Sequence, residues 1–199
     1  MTVIPGNHDA TVAVPWETGI GSWQPWMADD ASGPGAAPFP FLHRRGPMAL
    51  IGLSSAVPTM PGSAEGRLGA AQLARLPALL DAAGREGLFR AVLVHHPPVL
   101  GPGGWRKALR DRSALCVLLA RHGAELVLHG HHHIASQATL PGAARPIPVL
   151  GAPQALAAGH HGPGWLLHRV TRTETGWRRE TTLRLQNLAT TEFRRLAMD

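Results

Sequence analysis

AVLVHHPPVLGPGGWRKALRDRSALCVLLARHGAELVLHGHHH, residues 91–133, decides the fold. Ala91-Val92-Leu93-Val94 is a short β-branched apolar run, and Glu125-Leu126-Val127-Leu128 is a second. Runs of this length, bounded by Pro or Gly, read as buried strands. Between them Arg110 to His122 carries apolar residues at helical spacing and stops at Gly123, which predicts a helix. Strand, helix and strand in succession indicate a parallel α/β unit. Each predicted strand runs directly into histidines: His95-His96-Pro97-Pro98 after the first, and Gly130-His131-His132-His133 after the second. Loops at strand ends are where rigid scaffolds carry sites.

Upstream, Phe39 to Arg44 and Met48 to Leu53 flank Arg45-Gly46-Pro47 and predict a hairpin. Gly69 to Ala83 follows with Leu73, Leu76, Leu79 and Leu80 at helical spacing; Pro77 is expected to kink this helix and Gly84 to end it. Downstream, strands are predicted over Ile134–Leu140, Pro146–Leu150, Gly164–Val170 and Trp177–Leu185. Val3-Ile4 before Pro5-Gly6 reads as the end of a strand entering a loop. Residues 10–40, rich in Gly, Pro and Trp, read as a long ordered loop that Trp16, Trp23 and Trp26 pack onto the domain. Strand-helix-strand units followed by a run of strands make the fold class α/β, a sandwich, in one domain spanning 1–199.

Composition is that of an ordinary globular chain, 44% hydrophobic and 16% charged, with no apolar run near the roughly 20 residues a membrane span needs. The first residues lack the basic start and apolar stretch of a secretory leader, so a cytoplasmic location is expected. Cys116, the single cysteine, sits in an apolar run and reads as a core residue rather than a nucleophile. The net charge of +6 comes from scattered arginines, with Lys107 the only lysine. Scatter argues against a nucleic-acid stripe, and the densest stretch, Arg169 to Arg195, reads as a solvated strand face.

The chemistry concentrates in three segments: Gly6-Asn7-His8-Asp9, His95-His96-Pro97-Pro98 and Gly130-His131-His132-His133. In extended backbone, residues i and i+2 face the same way, so His131 and His133 are expected to enter one cavity while His132 turns aside. Gly6 and Gly130 allow tight turns, and Pro97-Pro98 stops the strand that presents His95. Imidazole nitrogens with an Asn amide oxygen suit borderline cations such as Mn, Fe or Zn better than Ca or Mg. Asp9 is expected to hold the second ring nitrogen of His8.

Taken in this order, the segments resemble the calcineurin-like metallophosphoesterase family, whose signature runs D-x-H, G-D, G-N-H-D/E, H and G-H-x-H. The resemblance covers nearly the whole chain, and His95-His96-Pro97-Pro98 is similar to its class III cyclic nucleotide phosphodiesterase branch. It implies a four-layer αββα sandwich and two divalent transition metals. It further implies hydrolysis of phosphodiesters or phosphomonoesters by a metal-bridging hydroxide. By the same resemblance Asn7, His95 and His131 bind one metal and His133 the other, while His8, supported by Asp9, is the catalytic residue meeting the phosphate. The partner implied is a small phosphate ester, a nucleotide among the candidates; membrane and nucleic acid are not expected. D-x-H and G-D do not occur before Gly6, so the first strand-helix-strand portion is expected to be absent. One site then keeps three neutral ligands and the other keeps one. Two rival readings follow: a catalytically incompetent relative holding at most one metal, and an arginine-rich nucleic-acid module. Among the remaining histidines, His160-His161 reads as loop; His43, His122, His129 and His168 read as structural or exposed; and His96 and His132 are candidate substrate neighbours.

Overall fold

Alternation along Phe89–Leu93 organises the molecule. Phe89 and Ala91 face one side, Val92 the other, and both sides are buried. The computed structural model describes residues 1–30, 38–101, 104–156, 163–187 and 193–198. Strands β1 (Phe41–Arg45) and β2 (Met48–Gly52) form the expected hairpin. Helix α1 (Ala70–Arg85) leads to β3 (Phe89–Leu93), and α2 (Arg112–His122) to β4 (Leu126–His129). Next come β5 (Ser136–Leu140), β6 (Ile147–Gly151), β7 (Gly164–Thr173), β8 (Gly176–Gln186) and β9 (Phe193–Met198). Six strands join in the order β1-β2-β3-β4-β6-β5, parallel from β2 through β6 and antiparallel at both edges; β7, β8 and β9 make a separate antiparallel sheet.

Each face of the larger sheet has its own cover. Leu76, Leu80 and Ala83 of α1 and Leu115 and Leu119 of α2 pack onto Ala49, Ile51, Val92, Val127 and Val149. On the opposite face Phe89, Ala91, Leu126 and Leu150 meet Leu166, Val170, Trp177 and Met198 of the second sheet. The fold is therefore α/β, with helices, a mixed sheet and a three-stranded sheet in contact through two apolar clusters. A further helical layer outside β7–β9, part of the expected sandwich, is not among the described residues. Among those residues no helix is long and apolar enough to cross a membrane.

Several local expectations are corrected. Gly84 does not end α1, which runs on to Arg85; the left-handed Gly87 (φ 65°) ends the turn that follows. Leu76 and Leu80, fully buried on either side of Pro77, anchor the helix across it. Val3 and Ile4 belong to no strand but pack on Met27, Phe39 and Phe41, where Trp23 also sits. Trp16 and Trp26 are exposed instead. Strand β9 was not expected. Asp111 ties the two helical units together, its carboxylate accepting the Leu68 and Gly69 amides at 2.8–3.1 Å just ahead of α1.

Candidate metal centre

Parallel pairing of β3 with β4 (Val92↔Val127, Leu93↔Leu128) brings the two histidine segments out at one edge of the sheet. The ladder continues past the strands, with Val94 N–H donating to Leu128 O at 3.1 Å and Gly130 N–H to His95 O at 3.1 Å. Carboxyl ends of parallel strands are where open α/β sheets carry their ligands. The N-terminal segment closes the site from above. A Cβ on Gly6 would stand 2.8 Å from His95 Cε1, so only glycine lets this backbone lie on the imidazole.

Asn7 Oδ1 is the meeting point: His95 Nε2 lies 2.9 Å from it and His131 Nδ1 3.2 Å. An amide oxygen only accepts, so each nitrogen facing it carries the proton. His131 is then left with a bare Nε2, and that atom is buried with no partner among the described residues. Leaving such an atom unsatisfied costs about 1–3 kcal/mol. A divalent cation suits this arrangement. Metal–nitrogen bonds of about 2.1 Å place neighbouring ligand atoms roughly 2.9–3.4 Å apart, the spacing found around Asn7 Oδ1. Among the described residues no group of three His, Cys, Asp or Glu side chains is placed to hold a cation, so a three-donor set at this point has to count the Asn7 amide oxygen. The described donor set fits one cation, not two.

His133 does not join these three. It is exposed, and both His131 (φ 68°) and His133 (φ 61°) are left-handed, so the segment turns sharply instead of extending as the i, i+2 argument requires. His8 is exposed at the rim, close enough for its charge to act on His95. The observed partner of Asp9 is not His8: its Oδ2 accepts the Gly6 amide at 2.7 Å and closes the turn Asn7–Ala10. His96 is no substrate neighbour. It is fully buried, bonded to Ser55 Oγ at 2.8 Å and Ala64 O at 3.0 Å, and its ring backs His131 at 4.3 Å between centroids. Ser55, just beyond β2, escaped the sequence reading, although it too follows an apolar strand. His132 is wedged against Gly101, where any side chain would collide with its ring.

The other histidines are structural, as expected. His43 bonds Thr2 and the Ala28 carbonyl, His122 pairs with Asp81, His129 bonds Gly130 O and Ser136, and His168 bonds Thr181. His160-His161 lies outside the described residues. Cys116 is half-buried with its thiol pKa raised by burial, the opposite of an activated nucleophile.

Burial favours the neutral form of the inner imidazoles. Burial, then the neighbouring His96, His133 and His8, pull His95 down to about 4. Burial, then His96, His95, His132 and Lys107, pull His131 down to about 3. Burial lowers His96, His129 and His132 as well. Both Asn7-facing rings are therefore neutral at pH 7, the charge state that binds metal. A depressed folded pKa means the unfolded chain takes up protons first, so stability is full above the unfolded value of about 6.5 and declines as pH falls. His168, lowered to about 4 by burial and then Arg179, acts the same way. Thermal melts in the presence of chelator are expected to hold a plateau above pH 7 and fall steadily between about 6.5 and 4. A midpoint unchanged down to pH 4 contradicts the burial of these rings.

No protein-family model matches the chain, and no curated protein matches it. Among solved structures, it is similar to the crystal structure of a dimetal phosphatase from Danio rerio, with 12% identity and a TM-score of 0.42. The match covers 67% of this chain and 40% of that one, so this chain spans well under half the length of that protein.

Proposed function

We propose that Asn7, His95 and His131 form one half of the metal centre of a metal-dependent phosphoester hydrolase, holding a divalent transition cation such as Mn, Fe or Zn. The observation that carries this is the convergence of His95 Nε2 and His131 Nδ1, from two different strand ends, on the Asn7 amide oxygen of a third segment. A bound cation supplies Lewis acidity toward a phosphoryl oxygen and a lowered water pKa. The chain's own residues do the rest. His95 and His131 are kept neutral by burial, so binding a cation at pH 7 needs only the ring proton shifted from the nitrogen facing Asn7 to the other one, not the loss of an imidazolium proton. Gly6 and the Asp9 carboxylate hold the turn that aims Asn7. His8, exposed beside the site, gives a ring N–H proton to the departing ester oxygen. His133 is assigned to a second cation, supported by its charge acting on His95, with its exposed ring standing apart from the three donors. The ester is small, a nucleotide among the candidates.

One observation favours a second reading, a protein that holds a single ion without turnover. The charges acting on His95 and His131 are other imidazoles and Lys107, so among the described residues no carboxylate acts on them to offset a pair of dications. Hydrolysis of bis(p-nitrophenyl) phosphate with Mn²⁺, run beside metal analysis of the dialysed protein, separates the two. Chelator-sensitive release of nitrophenolate is expected. One tightly held ion per chain with a rate at the buffer background establishes the second reading.

A further inference from the structure

The loop after β2 and the short turn Gly104–Lys107 run side by side, stitched by a ladder. Ala64 N–H donates to Arg106 O (2.9 Å), Gly66 N–H to Ala108 O (3.1 Å) and Arg110 N–H to Gly66 O (2.8 Å). Two open clefts of about 610 and 340 Å³ border it and share Glu65 and Arg110. Arg67 lines the larger; Trp105 and Arg106 line the smaller. Trp105 is 63% exposed, costly for so large a ring, yet the guanidinium carbons of Arg106 and Arg110 both lie 5.4 Å from its centroid. Arginine held against an aromatic face presents its N–H fork pre-ordered toward solvent. Neither Arg67 nor Arg106 has an acidic partner among the described residues. Arg110 does have one, its Nε donating to Glu65 Oε2 at 2.7 Å. The other local acid, Asp111, is committed to the Leu68 and Gly69 amides.

From these contacts we infer that the joined clefts bind a phosphate group carried by an ester, gripped by Arg106 and Arg110 beside Trp105, and that Glu65 occupies Arg110 until the phosphate displaces it. Planar guanidinium forks match phosphate oxygens, and a partly exposed carboxylate is a natural stand-in for such an anion. A short chain of contacts links the clefts to the metal centre. His96, whose ring backs His131, bonds the carbonyl of Ala64 in the ladder, and Lys107 acts on His131 and His132. As a subsite for a second anionic group of a substrate, the clefts rest on the function proposed above; as an anion site they are tested without it.

Calorimetric titration with inorganic phosphate and with glycerol 3-phosphate, in EDTA and at low ionic strength, supplies that test. Saturable binding of both is expected, the ester at least as tight as the free ion. Arg106→Ala, an exposed change, is expected to weaken both by about tenfold or more, the loss of one charge-assisted hydrogen bond. Glu65→Gln is expected to strengthen both, because the competing carboxylate is gone. His131→Ala is expected to change neither, whatever its effect on metal. The assignment is overturned by absent binding, by binding of the free ion alone, by weaker binding in Glu65→Gln, or by loss in His131→Ala with Arg106→Ala unaffected.

Discussion

Replacing His131 with alanine is expected to lower Mn²⁺ affinity by roughly 100-fold or more and to bring phosphoester turnover to background. Even losing a hydrogen-bond partner behind a metal ligand costs about 10–100-fold, and His131 is one of only three donors the described residues gather. Stability should move differently. The apo protein carries a buried His131 Nε2 without a partner, an unfavourable state that the substitution removes. Alanine, like the histidine it replaces, holds the left-handed φ of 68° at a cost of about 1–2 kcal/mol. His131→Gly removes the ring without that cost. Its melting point in chelator is therefore expected at or above that of His131→Ala, while its metal affinity is equally lost. His132→Ala, which changes a ring outside the donor set, is expected to keep wild-type affinity within about threefold. Titration of Mn²⁺ by calorimetry reads all three variants. Unaltered affinity in His131→Ala and His131→Gly would remove the metal centre from this edge of the sheet.

Much of this site was legible because its signals are local and repeated. Ala91–Val94 and Glu125–Leu128 are short apolar strands with no competing reading. Once they pair in parallel, the residues following each must emerge together, which is why His95 and His131 meet. Asn7 is different: nothing local joins it to residues 88 and 124 positions away, and only the ordered trio of motifs suggested it. The failures share a cause, competition that one segment cannot reveal. An extended Gly130–His133 presumes a continuing strand, but β4 stops at His129, and Gly130 accepts the His132 amide at 2.8 Å, folding the chain back. Asp9 was expected to reach His8, yet the Gly6 amide, three residues back, is the closer donor, as short acidic side chains often find. Helix α1 runs past Gly84 because buried Leu76, Leu80 and Ala83 bind it to the sheet. Strand β9, reading Phe-Arg-Arg-Leu-Ala-Met, lacks clean alternation and exists through pairing with β8.

Glu125→Ala is expected to produce a large loss of stability, about 3–5 kcal/mol, the range for stripping one partner from a buried ion pair. The pair with Arg90 is well shielded, with side chains 15% and 18% exposed. Glu125 serves three donors of Arg90: Nε at 3.0 Å, Nη2 at 2.8 Å and the backbone N–H at 2.7 Å. Its own N–H returns to Arg90 O at 3.0 Å, while Arg90 Nη1 donates to His122 O at 2.8 Å, at the end of α2. Truncation thus strands a guanidinium and an amide together, at the end of β3 and β4 opposite the histidines. At about 2–4 °C per kcal/mol for a chain of this size, the melting point is expected to fall by roughly 6–20 °C. Arg90→Ala/Glu125→Ala removes the stranded charge as well, so it is expected to be no less stable than Glu125→Ala alone. Urea denaturation measures both; a loss below about 1 kcal/mol would make this an ordinary surface pair. Distance makes the result discriminating. Below its lowered melting point, Glu125→Ala is expected to bind Mn²⁺ as wild type does, because the register that aligns His95 with His131 is set by Val92↔Val127 and Leu93↔Leu128 beyond the altered end. Affinity that falls in step with stability would instead mean that this ion pair, rather than the apolar strand pairing, sets the spacing of the two histidines.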